Sequence, residues 1–188
     1  MDTKRLARDE LWDLAATQHG YVTTRQAASL GISKDALVML AQRGTVDRAA
    51  FGVYRFPKYP YTDGDRHMLA VLWTRVPEAA LSHETALDVY AISDINPKKY
   101  HVTVAKRRRL RRVDAEPYVI HYEDLDPTQI GWWEEVPTVK PATAIAQCID
   151  YGTPTYLIRQ ALERGYQHGR IILDQQAELA AKLERRDG

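Results

Sequence analysis

At 188 residues, with a net charge of +1 and a single cysteine, the chain is long enough to bury a sizeable core and is expected to divide into two domains. No apolar run approaches the roughly 20 residues of a membrane span, and the start "MDTKRLARDELWDL" carries charges where a signal peptide needs an apolar stretch. A lone Cys148 excludes an internal disulfide and reads as a small core residue, so the expectation is a soluble, cytoplasmic protein.

Residues 4–19 place Ala7, Leu11, Leu14 and Ala15 on one helical stripe, and Gly20 follows as a stop. "TTRQAASLG" then sets Thr23 three residues before Gln26, a capping-box pattern, carries Ala27 and Leu30 inward and ends on Gly31. After the turn Gly31-Ile32, Ser33 is placed to cap a third helix, "SKDALVMLAQRG", with Leu37, Leu40 and Ala41 on its inner face and Gly44 at its end. Helix, short helix, turn, helix is a helix-turn-helix. Two strand-like pieces, residues 45–48 and 53–56 around Gly52, follow at once and make it a winged helix.

Such a module inserts the start of its third helix into the major groove and lays its hairpin on the backbone. Candidate phosphate contacts are Arg25, Arg43, Arg48, Arg55 and Lys58, with the amide end of the third helix at Ser33 and the neighbouring Lys34 assisting. On the outer face of that helix Gln42 suits a base edge and Val38 a thymine methyl, whereas Asp35 repels phosphate. The same face, with Val38 and Met39, also suits a protein contact.

The first domain is taken as residues 1–60 and the second as 61–188, without a Pro- or Ser-rich linker between them. The second opens with a helix over residues 63–75, with Leu69, Leu72, Trp73 and Val76 as its apolar set and Pro77 beyond its end. Ser82 is expected to cap the next helix, "SHETALDVYAI", with Ala86, Leu87 and Tyr90 inward; Glu84 in its first turn complements the helix dipole. "KYHVTVA" alternates Tyr100, Val102 and Val104 against His101 and Thr103, and "EPYVIHYEDL" follows as a second strand.

Between those strands lies "KRRRLRR": Lys106, Arg107, Arg108, Arg109, Arg111 and Arg112. Up to Arg112 the chain holds 19 Lys and Arg against 12 Asp and Glu; beyond it, 7 against 13. A basic front suits phosphate, and a cluster this dense repels itself unless an anion, an acidic neighbour or DNA answers it. The run is therefore placed on a basic β-hairpin that adds sequence-independent affinity for DNA. "KPATAIAQCIDYG" is read as a helix opening on Pro141 with Ile145, Cys148 and Ile149 inward, and further helices run from Tyr156 to a frayed end at Arg186. The fold class is α+β: an N-terminal winged helix-turn-helix, then a mixed α/β domain with a basic hairpin and C-terminal helices.

No phosphate-binding glycine loop, nucleophile elbow or H-E-x-x-H motif is present, and the six histidines are scattered without ligand spacing, so neither an enzyme nor a metal or cofactor site is expected. A catalytic role, were there one, would fall first on His83, Glu84, His101 and His121. The "GIS" turn, the "RG" closing the third helix and "GVYRFP" at residues 52–57 resemble the N-terminal domain of the AbiEi antitoxins, the regulatory half of bacterial abortive-infection toxin–antitoxin pairs. "AVLWTRVPEAALSHETALDVYAI", "YHVTVAKRRR" and "DLDPTQIG" are similar to that family's second domain. The resemblance implies a transcriptional autorepressor that binds promoter inverted repeats in double-stranded DNA and opposes a nucleotidyltransferase toxin. Two departures stand out: the family's third helix is usually rich in arginine, and its late helix often carries an arginine and an aspartate where this chain has Thr143 and Gln147. The alternatives are a docking module that binds a protein partner without DNA and an enzyme acting on the toxin.

Overall fold

The structure, a computed structural model of the chain, describes residues 7–110 and 116–188. Among these are eight α-helices and two β-sheets, divided between two compact units: one ends at Pro77 and also takes in Glu134–Val136, and the other holds Glu78–Trp133 and Pro137–Gly188. No described helix is long and apolar enough to cross a membrane.

The first unit runs α1 (Ala7–Ala16), β1 (Tyr21–Thr23), α2 (Thr24–Ser29), α3 (Lys34–Gln42), β2 (Asp47–Ala50), β3 (Val53–Arg55) and α4 (Asp65–Trp73). A helix of six residues cannot sustain itself in water, and α2 is held at its ends and by its packing. Thr23 Oγ1 accepts from the Gln26 amide at 3.2 Å, while Gln26 Oε1 accepts from the Thr23 amide at 2.9 Å, which is the expected capping box. Gly31, at φ 74°, turns the chain into α3, where Ser33 Oγ accepts from the Ala36 amide at 3.1 Å. Leu11, Val22, Ala27, Leu37, Val46 and Phe56 close the core.

The wing, β2 and β3, pairs antiparallel, and β1 adds to its other side, so that β3 is the central strand of a three-stranded sheet. β1 was not among the expected strands. The unit boundary also falls later than residue 60, because α4 packs against β1 and β3 and its first residue, Asp65, takes Arg55 Nε at 2.8 Å.

The second unit contains β4 (Ala80–Leu81), α5 (His83–Val89), β5 (Tyr100–Val104), β6 (Tyr118–Tyr122), β7 (Ile130–Trp133), β8 (Val136–Val139) from Pro137 onward, α6 (Pro141–Tyr151), α7 (Thr155–Gln167) and α8 (Leu173–Asp187). The sheet order is β6-β5-β4-β8-β7. The α+β class holds, but β5 and β6 pair parallel, Tyr100 opposite Tyr118 through Val104 opposite Tyr122, and not as a hairpin. Parallel neighbours need a crossover of about a dozen residues, and the segment carrying the basic run supplies that return. Leu87, Ile145, Ile149, Ile158 and Leu183 pack the helices into one core. Cys148 lies within it as expected, its thiol pushed up to about 12 by burial. Arg186 does not fray: its guanidinium donates to Thr153 O at 2.9 Å and Thr155 Oγ1 at 2.6 Å, pinning the end of α8 to the start of α7.

Candidate nucleic-acid interface and a buried histidine cluster

The outer face of α3 forms as its periodicity requires. Leu37 is buried, and Lys34, Asp35, Val38, Met39 and Gln42 are exposed. Lys34, Val38 and Gln42 share one line along the helix at i, i+4 and i+8, with Asp35 and Met39 beside it. The Ser33 hydroxyl is engaged in the cap, and the residue itself is exposed.

A second group forms around the wing. Phe51 projects from the β2–β3 turn with 61% of its surface exposed, flanked by the guanidinium carbons of Arg48 at 5.5 Å and Arg75 at 5.2 Å from its ring centre. Arg75 also borders a cleft of about 360 Å³ with Arg25. Gly52 makes the turn at φ 74°, and a Cβ there would stand 3.1 Å from Thr24 Oγ1, so only glycine suits the position. Arg25, Arg48 and Arg75 are thus gathered about the wing tip and the start of α2. Arg75 was missed in the sequence because it lies beyond the expected domain boundary; its own φ of 59° turns the chain out of α4.

Arg43 and Lys58 belong elsewhere, on a separate cleft of about 500 Å³ that they share with Arg8, Trp12 and Phe56. Arg55 is not a phosphate contact. It is 4% exposed, its fork pairs with Asp65 Oδ2 at 2.7 Å, and its remaining donors go to the carbonyls of Phe56, Tyr59 and Pro60 at 3.1–3.2 Å. Tyr61 lies over the guanidinium at 3.8 Å.

The basic run is partly answered from within its own unit. Arg108 grips Glu78 through two bonds, Nε to Oε1 at 2.8 Å and Nη2 to Oε2 at 2.9 Å, and Arg107 reaches Oε1 at 3.0 Å. The Arg108 bonds hold the Glu78 carboxyl down to about 2. Lys106 and Arg109 are exposed, and Arg111 and Arg112 lie outside the described residues.

The histidines that looked scattered are not all so. His83 at the start of α5, His101 on β5 and His121 on β6 each bring a ring nitrogen within 4.8 Å of the other two. His101 Nδ1 is 3.0 Å from His121 Nε2, and the His83 and His121 rings stack with centres 3.5 Å apart. Ser82 does not cap α5 with its side chain; its hydroxyl stands 3.0 Å from His83 Nδ1. Glu84 Oε2 lies 3.8 Å from His101 Nε2. Burial lowers His83 to about 2 and His121 to about 4, each helped by neighbouring imidazoles, and it lowers His101 against the pull of Glu84. Spacing along the chain could not show this group; the signal in the sequence was strand alternation, which sets His101 and Thr103 on one face of β5.

Residues 9–57 match the family described as "Transcriptional regulator, AbiEi antitoxin". Among solved structures the chain is similar to the crystal structure of the RV2827C protein from Mycobacterium tuberculosis, at 14% identity and a TM-score of 0.43, over 94% of this chain and 80% of that one. No curated protein matches. The family match begins inside α1 and ends just beyond β3, taking in the helix-turn-helix and its wing.

Proposed function

We propose that the chain is the antitoxin and autorepressor of a toxin–antitoxin operon, binding inverted repeats in its own promoter through the winged helix while the rest of the chain opposes a nucleotidyltransferase toxin. The observation that carries the DNA half is the gathering of Arg25, Arg48 and Arg75 around the exposed Phe51 of the wing, in the unit whose α3 leaves Lys34, Val38 and Gln42 to solvent. In this reading the wing cations hold the backbone and α3 reads the groove with few charges, Gln42 on a base edge and Val38 on a thymine methyl. Lys106 and Arg109 add affinity without sequence preference.

Each phosphate contact contributes about 0.9 to the slope of log affinity against log salt. Replacing Arg25, Arg48 and Arg75 by alanine should therefore flatten the slope on the upstream DNA by roughly 2.7, measured by fluorescence anisotropy over a salt series. An unchanged slope removes the wing from the DNA interface. One observation favours the docking reading: Val38 and Met39 are exposed side by side on α3, at 36% and 49%. If that face binds protein, Met39→Asp abolishes partner capture and leaves the salt slope intact. The antitoxin half is tested by growth rescue when the chain is co-expressed with the neighbouring reading frame, and failure to rescue with both proteins made refutes it.

A further inference from the structure

The DNA-binding reading makes no use of the histidine cluster, which lies in the second unit. From its geometry we propose that His83, His101 and His121 form a binding site for a divalent transition-metal ion of the zinc class. Three imidazoles arrive from three separate elements, a helix start and two strands, with one nitrogen of each within 4.8 Å of the others. The His101 Nδ1 to His121 Nε2 separation of 3.0 Å is near the roughly 3.3 Å between two ligand nitrogens of a tetrahedral zinc with bonds of about 2.0–2.1 Å. Two of the second nitrogens face partners of the kind that metal-bound histidines use. Ser82 Oγ takes His83 Nδ1, which leaves Nε2 for the ion, and the Glu84 carboxylate faces His101 Nε2, which leaves Nδ1.

Two further features fit an ion and are costly without one. His83 holds φ 50° while 6% exposed, a left-handed conformation that costs a non-glycine residue about 1–3 kcal/mol. Thr103, on the same face of β5 as His101 and opposite His121 in register, buries its hydroxyl with no hydrogen-bond partner among the described residues. A water on the ion would satisfy such a group. Imidazole-only ligation selects zinc, cobalt, nickel or copper over magnesium and calcium, which take oxygen ligands. His101, Glu84 and Tyr151 border a cavity of about 500 Å³, whose lining also includes Lys98 and Lys99.

The test uses the untagged full chain, stripped with chelator and given one equivalent of Zn²⁺ or Co²⁺. One ion per chain should survive desalting, and histidine-selective ¹⁵N spectra of the wild-type protein should move the rings of His83, His101 and His121 while those of His67 and His168 stay put. This readout needs no variant and is immune to misfolding. His121→Gln should lose the ion, exposed His168→Ala should keep it, and Glu84→Gln should weaken binding by roughly 10–100-fold. Binding of no ion, ring shifts confined to His67 or His168, or equal binding by folded His121→Gln would each overturn the assignment and leave the cluster as a histidine network without an ion.

Discussion

Removing the carboxylate of Asp65 should cost the first unit about 3–5 kcal/mol, because it leaves a guanidinium buried without its counter-charge. Arg55 and Asp65 are each 5% exposed at the side chain and meet at 2.7 Å. Asp65 Oδ1 also accepts from the Thr62 amide at 2.7 Å and its hydroxyl at 2.9 Å, so the carboxylate ties β3 to the start of α4. Asp65→Asn keeps the volume and an acceptor for Thr62, and presents an amide to the Arg55 fork. At about 1.4 kcal/mol per tenfold, the change should speed exchange of the Phe56 amide by roughly two to three and a half orders of magnitude where exchange follows opening of the unit. That amide donates to Gly20 O at 2.9 Å and reports on the β1–β3 side of the unit. Arg55→Met with Asp65→Leu removes both charges and should recover most of the loss. A loss below about 1 kcal/mol for Asp65→Asn would place the pair with surface ion pairs and refute the reasoning. The double variant also tests placement: its salt slope on DNA should match the wild type, and a fall of about 0.9 would return Arg55 to the DNA interface.

On α3, Gln42→Ala should lower discrimination between promoter and unrelated DNA by roughly 1–3 kcal/mol with the salt slope unchanged, whereas Lys34→Ala should cut the slope by about 0.9 on both DNAs; competition binding distinguishes them. With the Glu78 carboxyl lowered from 4.5 to about 2, its pairing with Arg108 stabilises the second unit fully above the ordinary value and is lost as pH falls through about 2. Arg108→Ala should remove that part of the acid dependence, seen as a flatter fall of the urea midpoint across the same window. Glu78→Gln frees Arg107 and Arg108 and should steepen the salt slope on DNA by up to about 1.8; an unchanged or shallower slope refutes the idea that Glu78 withholds them. Arg186→Ala loses the bonds to Thr153 and Thr155 and should cost about 1.5–3 kcal/mol, with faster amide exchange in the last turn of α8.

The winged helix was legible because its signals are local. Thr23 with Gln26, Ser33, Gly31 and Gly44 mark helix ends by chemistry that acts within four residues. β1 was not legible, since three residues all buried show no alternation. That one omission carried forward: without β1 and α4 beside it, β3 reads as the outer strand of a hairpin, and Arg55 reads as a cation facing solvent. The connection between β7 and β8 was hidden for a related reason. Its two residues, Glu134 and Glu135, sit at φ 42° and 66°, where turn chemistry favours asparagine and glycine, so no turn residue announces it. Strand alternation placed His101 correctly on one face of β5, but the direction of pairing with β6 and the approach of His83 are long-range facts that no residue spacing encodes.

The six cations of "KRRRLRR" demanded an answering anion, and Glu78 supplies one for two of them. Counted along the chain, the run offers six phosphate contacts and a slope of about 5.4; holding Arg107 and Arg108 lowers that ceiling by about 1.8. The parallel pairing of β5 and β6 makes the partial answer intelligible. A hairpin tip would hold the run away from its own unit with only DNA or solvent to meet it. A crossover must instead return along the strands it connects, and its first residues pass close enough to Glu78, two positions before β4, for a two-bond grip. The run is therefore built into the fold at one end, and under the proposed DNA-binding function its contribution would come from the cations that this anchoring leaves to solvent, Lys106 and Arg109 among the described residues.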